Sequence, residues 1–213
     1  QTSKRGTKMK KIIMGSLIAL ILVMTVFANH LVNTFEPDKD SKVASAQPTA
    51  NFGSGNIMMV KDKINAKDRS YLHFDLSNSG LSSVTQANME IFVYWTTSNI
   101  AGKQVQAWYC QNVDFNELTI NWNNQPSNWN YNGNHLTKNC VLADSFVVPN
   151  RVYAGTPETK HTWDLTSEVN QTLNSTNKKF TIVLKHDTED KSNNYRHVQY
   201  LTRNYSESTY RPH

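Results

Sequence analysis

Apolar and polar residues alternate along several short stretches of this 213-residue chain. Leu72, Phe74 and Leu76 occupy one side of an extended segment, whereas His73 and Asp75 occupy the other. This period of two predicts a half-buried β-strand. The run at residues 89–95 is almost wholly apolar or aromatic, which predicts a central strand covered on much of both faces. Further strands are predicted at residues 105–110, 145–148, 180–184 and 198–201.

The segments between these strands are rich in Gly, Asn, Ser and Pro, as turns between short antiparallel strands require. Residues 117–122 are predicted to form a further strand, which enters a sharp amide-rich turn closed by Pro126. A short helix is possible at residues 167–174, because Val169 and Leu173 are four positions apart. The pattern predicts an all-β fold, an antiparallel β-sandwich of jelly-roll-like type.

The N-terminal segment has the composition of an export signal. Basic residues at positions 8–11 precede an apolar stretch of 17 residues, Ile12–Ala28, which ends in small residues suited to cleavage. A signal anchor that is not cleaved is the alternative, since this length approaches that of a membrane span. We therefore predict upstream residues and a signal peptide in 1–28, a linker in 29–39 and the β-sandwich in 40–213.

The formal net charge of +5 is concentrated before the apolar stretch. Five of the 22 Lys and Arg residues lie there, which leaves 17 basic residues against 17 acidic ones in the exported part. This balance provides no overall basic field for nucleic acid. The predicted location is secreted or at the cell surface, with membrane contact only through an uncleaved N-terminal segment.

Cys110 and Cys140 are the two cysteines of the chain. An even, isolated pair in an exported protein predicts a disulfide. A metal pair or a redox pair is disfavoured because neither a CxxC spacing nor a histidine cluster accompanies them.

Four segments, in this order, resemble the DNRLRE-type β-sandwich domains, which are grouped with carbohydrate-binding module family 96 and the disaggregatase-related repeats. They are Asn51-Phe-Gly-Ser-Gly55, Arg69-Ser-Tyr-Leu-His-Phe-Asp-Leu-Ser77, Glu117-Leu-Thr-Ile-Asn-Trp-Asn-Asn-Gln-Pro126 and Arg203-Asn-Tyr-Ser-Glu-Ser-Thr-Tyr-Arg-Pro212. The resemblance implies a sandwich that binds carbohydrate. Similar domains continue beyond the Arg-Pro pair with a final apolar strand, so we expect this domain to be truncated at its last strand and appended to other domains in a longer protein.

Aromatic and amide residues in the segment after Pro126 suggest a sugar-binding loop, because aromatic faces stack on sugars and amides hydrogen-bond to hydroxyl groups. Residues on the predicted strand around Phe74 form a second candidate face. The candidate carbohydrate-binding residues are Trp129, Tyr131, Asn128, Asn132, Tyr71 and His73. Two alternatives stay open, namely that Trp129 folds back as a lid over the sandwich and that the second face, with Arg69, is the solvated side of a strand. Trp122 is expected to fill the core because it ends an apolar run.

Acidic residues suggest two other kinds of site. Asp114 and Glu117 could serve as the carboxyl pair of a glycosidase, although the resemblance implies a structural role for Glu117 and we predict no catalytic residue. Oxygen ligands after residue 186 could bind structural Ca²⁺, with a solvated turn as the alternative. These ligands are Asp187, Glu189, Asp190, Asn193 and Asn194. No cofactor and no metal site are otherwise predicted.

Taken with the resemblance, these features predict an exported, non-catalytic carbohydrate-binding module that recognises a polysaccharide or cell-surface glycan. The first alternative is a structural or adhesive domain of a cell-surface or extracellular matrix protein. A polysaccharide-degrading enzyme is the second, and it would require convergent carboxylates in a pocket.

Overall fold

Short strands joined by turns build the chain, as the hydrophobic pattern predicts. A computed structural model describes residues 32–126, 140–153, 159–189 and 193–213, and its compact unit spans Phe35–His213. Within these ranges the strands are β1 (Lys39–Ala44), β2 (Ile57–Asp62), β3 (Asp68–Asp75), β4 (Asn88–Thr96), β5 (Gln104–Gln111), β6 (Cys140–Val147), β7 (Lys160–Asp164), β8 (Lys179–His186) and β9 (Arg196–Leu201). The helical elements described are α1 (Thr166–Leu173) and a 3-10 turn at Ser208–Tyr210.

All strand pairs are antiparallel, and they form two layers. The first sheet has the order β6-β5-β8-β3-β1, and the second has the order β2-β9-β4-β7. The layers are joined where β2 and β3 pair through Lys61 and Asp68. The predicted antiparallel β-sandwich is confirmed.

The main hydrophobic core lies between the two sheets. Leu72 and Phe74 of β3 enter it, as their alternation predicts, and Phe74 stacks on Phe180 of β8 with ring centroids 5.0 Å apart. Trp163 of β7 is completely buried here, and its indole N–H donates to the Val105 carbonyl at 3.1 Å. The core therefore uses alternate residues of both sheets, which is the defining pattern of a sandwich.

Strand β4 is covered on much of both faces, which confirms the prediction for residues 89–95. Met89, Ile91 and Val93 face the core, whereas Phe92, on the opposite face, packs edge-on against Tyr210 with centroids 5.0 Å apart. At Glu90 the backbone also forms a reciprocal pair of hydrogen bonds with His213. Covered faces explain why this strand shows no clean alternation.

The predicted short helix is confirmed as α1. Leu173 is buried in the core and Val169 packs against it, so the residues that are four positions apart lie on the inward face. The adjacent Thr172 hydroxyl shares a buried 2.8 Å hydrogen bond with the Tyr109 hydroxyl. A two-turn helix is too short to be stable alone, so this packing is what maintains it.

The strand predicted at residues 117–122 is wrong, because this segment forms turns. The backbone N–H groups of Thr119 and Ile120 both donate to the Asn116 carbonyl, and none of the described strands pairs with this segment. Ile120 is buried and Trp122 is partly buried on the surface of a sheet rather than within a sheet, whereas Leu118 is exposed. Strands β1, β2 and β7 lack a strong apolar alternation and were not predicted.

The predicted signal segment, residues 1–28, lies outside the described residues. In the part of the chain that the structure describes, no helix combines the length and the apolar character needed to cross a membrane.

Candidate functional site

A second hydrophobic cluster covers the outer face of the first sheet. Its buried members are Val43, Tyr71, Cys110, Phe115, Ile120 and Val183. Phe115 and Ile120 belong to residues 112–126, a segment that we call the covering loop. Phe115 contacts Tyr71 edge-on, with ring centroids 5.9 Å apart. The covering loop is thus held against β3 and β8 by apolar burial, the main favourable term in folding.

Glu117 fastens the covering loop to the rest of the domain. Its carboxylate accepts two hydrogen bonds from the Arg203 guanidinium, at 3.0 and 2.6 Å, and a third from the Asp40 backbone N–H at 2.9 Å. The Arg203 backbone N–H in turn donates to the Asp40 carboxylate at 2.6 Å. Fork-like pairing of this kind fixes geometry as well as charge, which agrees with a structural role for Glu117.

Asn51 and Gly53 complete this attachment. The Asn51 amide donates to the carbonyls of Glu117 and Ile120, each at 2.8 Å. A Cβ at Gly53 would lie 2.0 Å from the Glu117 carbonyl oxygen, so only glycine allows this approach. The Asn204 amide donates to the Gly53 carbonyl at 3.0 Å. The first, third and fourth of the segments that carry the family resemblance therefore meet around Glu117.

Gln125 connects the end of the covering loop to β3. Its Oε1 accepts hydrogen bonds from the Tyr71 hydroxyl at 2.8 Å and from Arg69 at 3.1 Å, while its Nε2 donates to the Trp122 carbonyl. The Arg69 guanidinium lies over the Trp122 ring at 4.7 Å, within the range of a cation–π contact. Trp122 is therefore partly buried on the outer face, and the expectation that it fills the core between the sheets is wrong.

Arg69 also forms a buried ion pair. Its Nε and Nη2 donate to the two carboxylate oxygens of Glu189 at 2.8 and 2.7 Å, and both side chains are almost fully buried. Glu189 was one of the proposed calcium ligands, but its oxygens are engaged by Arg69. Asp187 contacts His186 at 2.8 Å, and Asp190 lies outside the described residues. In the described ranges, no three His, Cys, Asp or Glu side chains are arranged to hold a metal ion.

The predicted disulfide between Cys110 and Cys140 is present. Cys110 lies on the outer face of β5, and Cys140 begins β6 opposite it. The segment between Pro126 and Cys140 therefore starts beside the Gln125 contacts and returns to the disulfide, with both ends on the first sheet. Trp129, Tyr131, Asn128 and Asn132 belong to this segment and lie outside the described residues.

Tyr71 and His73 do not form a solvated face. Their side chains are 0% and 1% exposed, respectively, because the covering loop lies over them. Phe115 contacts both rings edge-on, at centroid distances of 5.9 and 6.4 Å. A sugar could not reach either ring without displacing Phe115, and glycan binding through these two residues stays a prediction.

A shallow groove of about 700 Å³ opens beside the covering loop, and we call it the Asp114 groove. It is lined by Asp38, Lys39, Asp114, Phe115, Asn116, Glu117 and Leu118. His73 lies beneath it, with Nδ1 2.6 Å from the Asp38 carboxylate and Nε2 3.8 Å from that of Asp114. Among these residues, the sequence pattern singles out Asp114, Glu117 and His73. No pattern around Asp38 indicates that it would lie beside them.

Buried ionisable groups make the stability of the domain depend on pH. Burial lowers the pKa of His161 to about 3 and, together with Lys61 and Lys42, that of His197 to about 4. Burial raises the pKa of Asp40 to about 7, against the lowering effect of the Arg203 backbone N–H. Between pH 6.5 and 4.5 the unfolded chain thus comes to hold two protons on histidine that the native state does not bind, whereas the native state holds one proton on Asp40 that the unfolded chain has released.

We therefore expect the free energy of unfolding to fall by about 2 kcal/mol between pH 6.5 and pH 4.5, since these three groups leave the unfolded chain with one excess proton. The histidine contribution is present above pH 6.5 and is lost on acidification. The Asp40 contribution has the opposite sign and is present only at low pH. Urea denaturation at the two pH values measures the difference. Asp40→Asn should steepen the loss, and a stability that rises towards pH 4.5 would contradict the assignment.

Residues 32–140 match the model of carbohydrate-binding module family 96. The match spans β1 to β5, the covering loop and the first residue of β6. A search of curated proteins found no match.

Proposed function

Because the chain belongs to carbohydrate-binding module family 96, we propose that it is an exported, non-catalytic module that recognises a polysaccharide. The observation that carries this proposal is the family match over residues 32–140, half of the chain. The matched part contains the covering loop, with the contacts of Glu117 and Gln125 that hold it. A binding module needs a rigid base from which it can present its ligand contacts, and these contacts provide one.

We place the main sugar contacts in the segment 127–139, on Trp129 and Tyr131, with hydrogen bonds from Asn128 and Asn132. The described residues that flank this segment, Gln125 and Cys140, are held on the outer face of the first sheet. The Gln125 contacts precede it and the Cys110–Cys140 disulfide closes it. Restraint at both ends reduces the entropy that is lost when a loop orders around a ligand.

Ionisation of the carboxyl groups supports a binding role rather than glycoside hydrolysis, which needs an accessible acid that stays protonated near neutral pH. Asp40 has a pKa raised to about 7, but its side chain is buried and bonded to the Arg203 backbone. Asp114 is exposed, yet the hydrogen bonds of Lys39 and the Phe115 N–H outweigh partial burial and lower its pKa.

Export is supported by the disulfide, since such bonds persist in oxidising compartments. The basic and apolar N-terminal segment agrees with that placement. We propose that the domain acts outside the cell or at its surface, as part of a longer protein, and that it binds no nucleic acid.

A structural or adhesive role is the second candidate, and strand β6 favours it. Among the described strands β6 pairs only with β5, so it is an edge strand of the part of the chain that the structure describes. Val141, Leu142 and Val147 on this strand are each about half exposed. Exposed apolar edges are sites of protein–protein pairing. A glycan array on which the protein finds no ligand would favour this role.

Replacing Trp129 with alanine tests the proposed sugar contact. Loss of one stacking aromatic should remove about 1 kcal/mol of binding free energy and weaken affinity for the preferred polysaccharide roughly five- to tenfold. The thermal midpoint should stay nearly unchanged if Trp129 contacts the sugar, because substitutions away from the core change stability little. Calorimetric titration after a glycan array measures both quantities, and neutral and uronate polysaccharides belong in the array.

Tyr131→Ala should behave in the same way, and Tyr153→Ala is its matched control, because Tyr153 is an exposed tyrosine elsewhere on the surface. Added salt should change the affinity for a neutral glycan little, since the exported part carries no formal net charge. Unchanged affinity in both loop variants would contradict the placement of the site. A large drop in the thermal midpoint of Trp129→Ala would show that this residue packs as a lid.

A further inference from the structure

We infer that Trp95 and Tyr195 form a second glycan-binding site on the outer face of the second sheet, where their rings stack on the apolar C–H faces of sugar units. We call this pair the aromatic platform. The inference rests on the proposed function, because it assigns a further contact surface to the same carbohydrate-binding module. The platform lies on the opposite side of the sandwich from the covering loop, and both of its residues belong to the described part of the chain.

A β-bulge brings Trp95 to this face. Ile91 and Val93 alternate into the core, so a regular strand would place residue 95 in the core as well. The register of β4 with β9 shifts after Val93, however. Val93 is opposite the core residue Tyr200, whereas Trp95 is opposite Gln199, whose neighbours on both sides face the core. Bulges re-aim side chains and are common beside functional sites. The shift therefore places a large, partly exposed ring on the surface of the sheet.

Tyr195 reaches the same face from the residues that precede β9. It is two positions before His197, and alternate residues of an extended segment share a face. The His197 ring packs against both aromatic rings, with centroids 4.6 Å from Trp95 and 4.7 Å from Tyr195. The imidazole itself is fully buried, so it supports the two rings and does not contact the ligand. Rings that are already fixed lose little freedom on binding, which favours affinity.

The platform is accessible to a ligand. Tyr195 is 43% exposed, and Trp95 is partly exposed beside it. Gln199 is also partly exposed and lies next to Trp95 in the strand register, so its amide can donate to and accept from sugar hydroxyl groups. Aromatic surfaces next to a few polar groups are the usual composition of a small-molecule site. The platform thus offers both kinds of contact that a sugar ring needs.

Charged side chains beside the platform are engaged within the protein. The Lys61 ammonium lies 5.8 Å from the centroid of the Tyr195 ring, but it pairs with the Asp68 carboxylate at 2.8 Å. Arg196 lies 3.9 Å from the Asp62 carboxylate. Ring stacking is therefore the main interaction that the platform offers, and a sugar ring rather than an ionic group is its occupant. Affinity at this site should change little with added salt.

The test starts from the double variant Trp129→Ala/Tyr131→Ala, which removes the proposed loop contacts. Its remaining affinity is measured by titration calorimetry with a soluble hexasaccharide of the polysaccharide that binds best on an array. Adding Tyr195→Ala should weaken this binding roughly five- to tenfold, and Trp95→Ala should have a similar effect, because each removes one stacking ring. Adding Tyr195→Phe should preserve the binding, since the ring is kept.

Leu118→Ala in the same background is the matched control. It removes an exposed apolar side chain from the covering loop, on the other side of the sandwich, and should leave the binding unchanged. If Trp95→Ala lowers the thermal midpoint through its lost contact with His197, the comparison of Tyr195→Ala with Tyr195→Phe decides the question.

The outcomes separate this inference from the proposed function. A wild-type protein that binds no glycan overturns the proposed function, and the platform with it. Wild-type binding that the loop double variant abolishes overturns the platform alone, as does residual binding that Tyr195→Ala leaves unchanged. A dimer that Tyr195→Ala dissociates in analytical ultracentrifugation would assign the platform to a second copy of the chain and overturn its role in glycan binding.

Discussion

Replacing Glu189 with leucine is expected to lower the free energy of unfolding by about 3–5 kcal/mol, the largest effect that we predict for a single substitution. Arg69 would then lose the carboxylate to which its Nε and Nη2 both donate, while its side chain stays 3% exposed and cannot recover the lost interaction from water. Burial lowers the pKa of Lys185, and the Glu189 carboxylate partly opposes this effect, so its loss would also make the charged form of Lys185 less favourable. Equilibrium urea denaturation measures the loss as a lower midpoint at unchanged slope.

The double variant Arg69→Met/Glu189→Leu is the matched control. Removing both charges should restore most of the lost stability, because a buried pair can often be replaced by apolar residues at little cost. Asp75→Asn breaks the exposed pair with Lys179 and should cost less than about 1 kcal/mol. A loss below about 1 kcal/mol in Glu189→Leu would show that solvent reaches Arg69.

Removing the disulfide with the double variant Cys110→Ala/Cys140→Ala is expected to cost about 3–4 kcal/mol in the chain-entropy model. The bond closes a loop with a sequence separation of 30 residues, which the unfolded chain would otherwise explore freely. Glycan affinity should fall as well, because Cys140, which follows the proposed binding segment, would lose its covalent attachment to β5. Denaturant unfolding and calorimetric titration measure the two effects.

Thiol titration of the denatured, unreduced protein should find no free cysteine, which checks that the bond forms during export. Two titratable thiols in protein recovered from an oxidising compartment would refute the pairing. A stability loss without a change in affinity would separate the disulfide from the binding segment.

The strands with a clear apolar pattern and the disulfide could be predicted from the sequence. The strand signal lies within a short stretch of residues, and the disulfide signal is the presence of two cysteines. The alternation of Leu72, Phe74 and Leu76 reports a face buried in a sheet, whatever that sheet packs against. Likewise, the spacing of Val169 and Leu173 indicates one face of a helix. When a chain has two cysteines, each has one possible partner within the chain. The chain itself therefore determines the all-β class, the turn positions and the cysteine pair.

The outer face of the first sheet could not be predicted in this way. Alternation says that Tyr71 and His73 lie opposite the core, but it does not say that the covering loop returns to bury them. Residues 117–122 have the composition of a strand, yet they form turns, because Ile120 and Trp122 pack on top of a sheet and no described strand pairs with the segment.

Long-range polar pairs were equally hidden. Glu117 meets Arg203 across 86 positions, and Arg69 meets Glu189 across 120. A charged residue must be either solvated or paired. The sequence does not indicate which partner it has, because the positions of ion-pair partners follow no periodic pattern. The tertiary structure determines the partners. It pairs Glu189, a proposed calcium ligand, with Arg69, and it places Asp38 beside Asp114. The sequence by itself determined the all-β class and the strands with a clear apolar pattern, and only the packing of the loop across the sheet decided which residues of the outer face a ligand can reach.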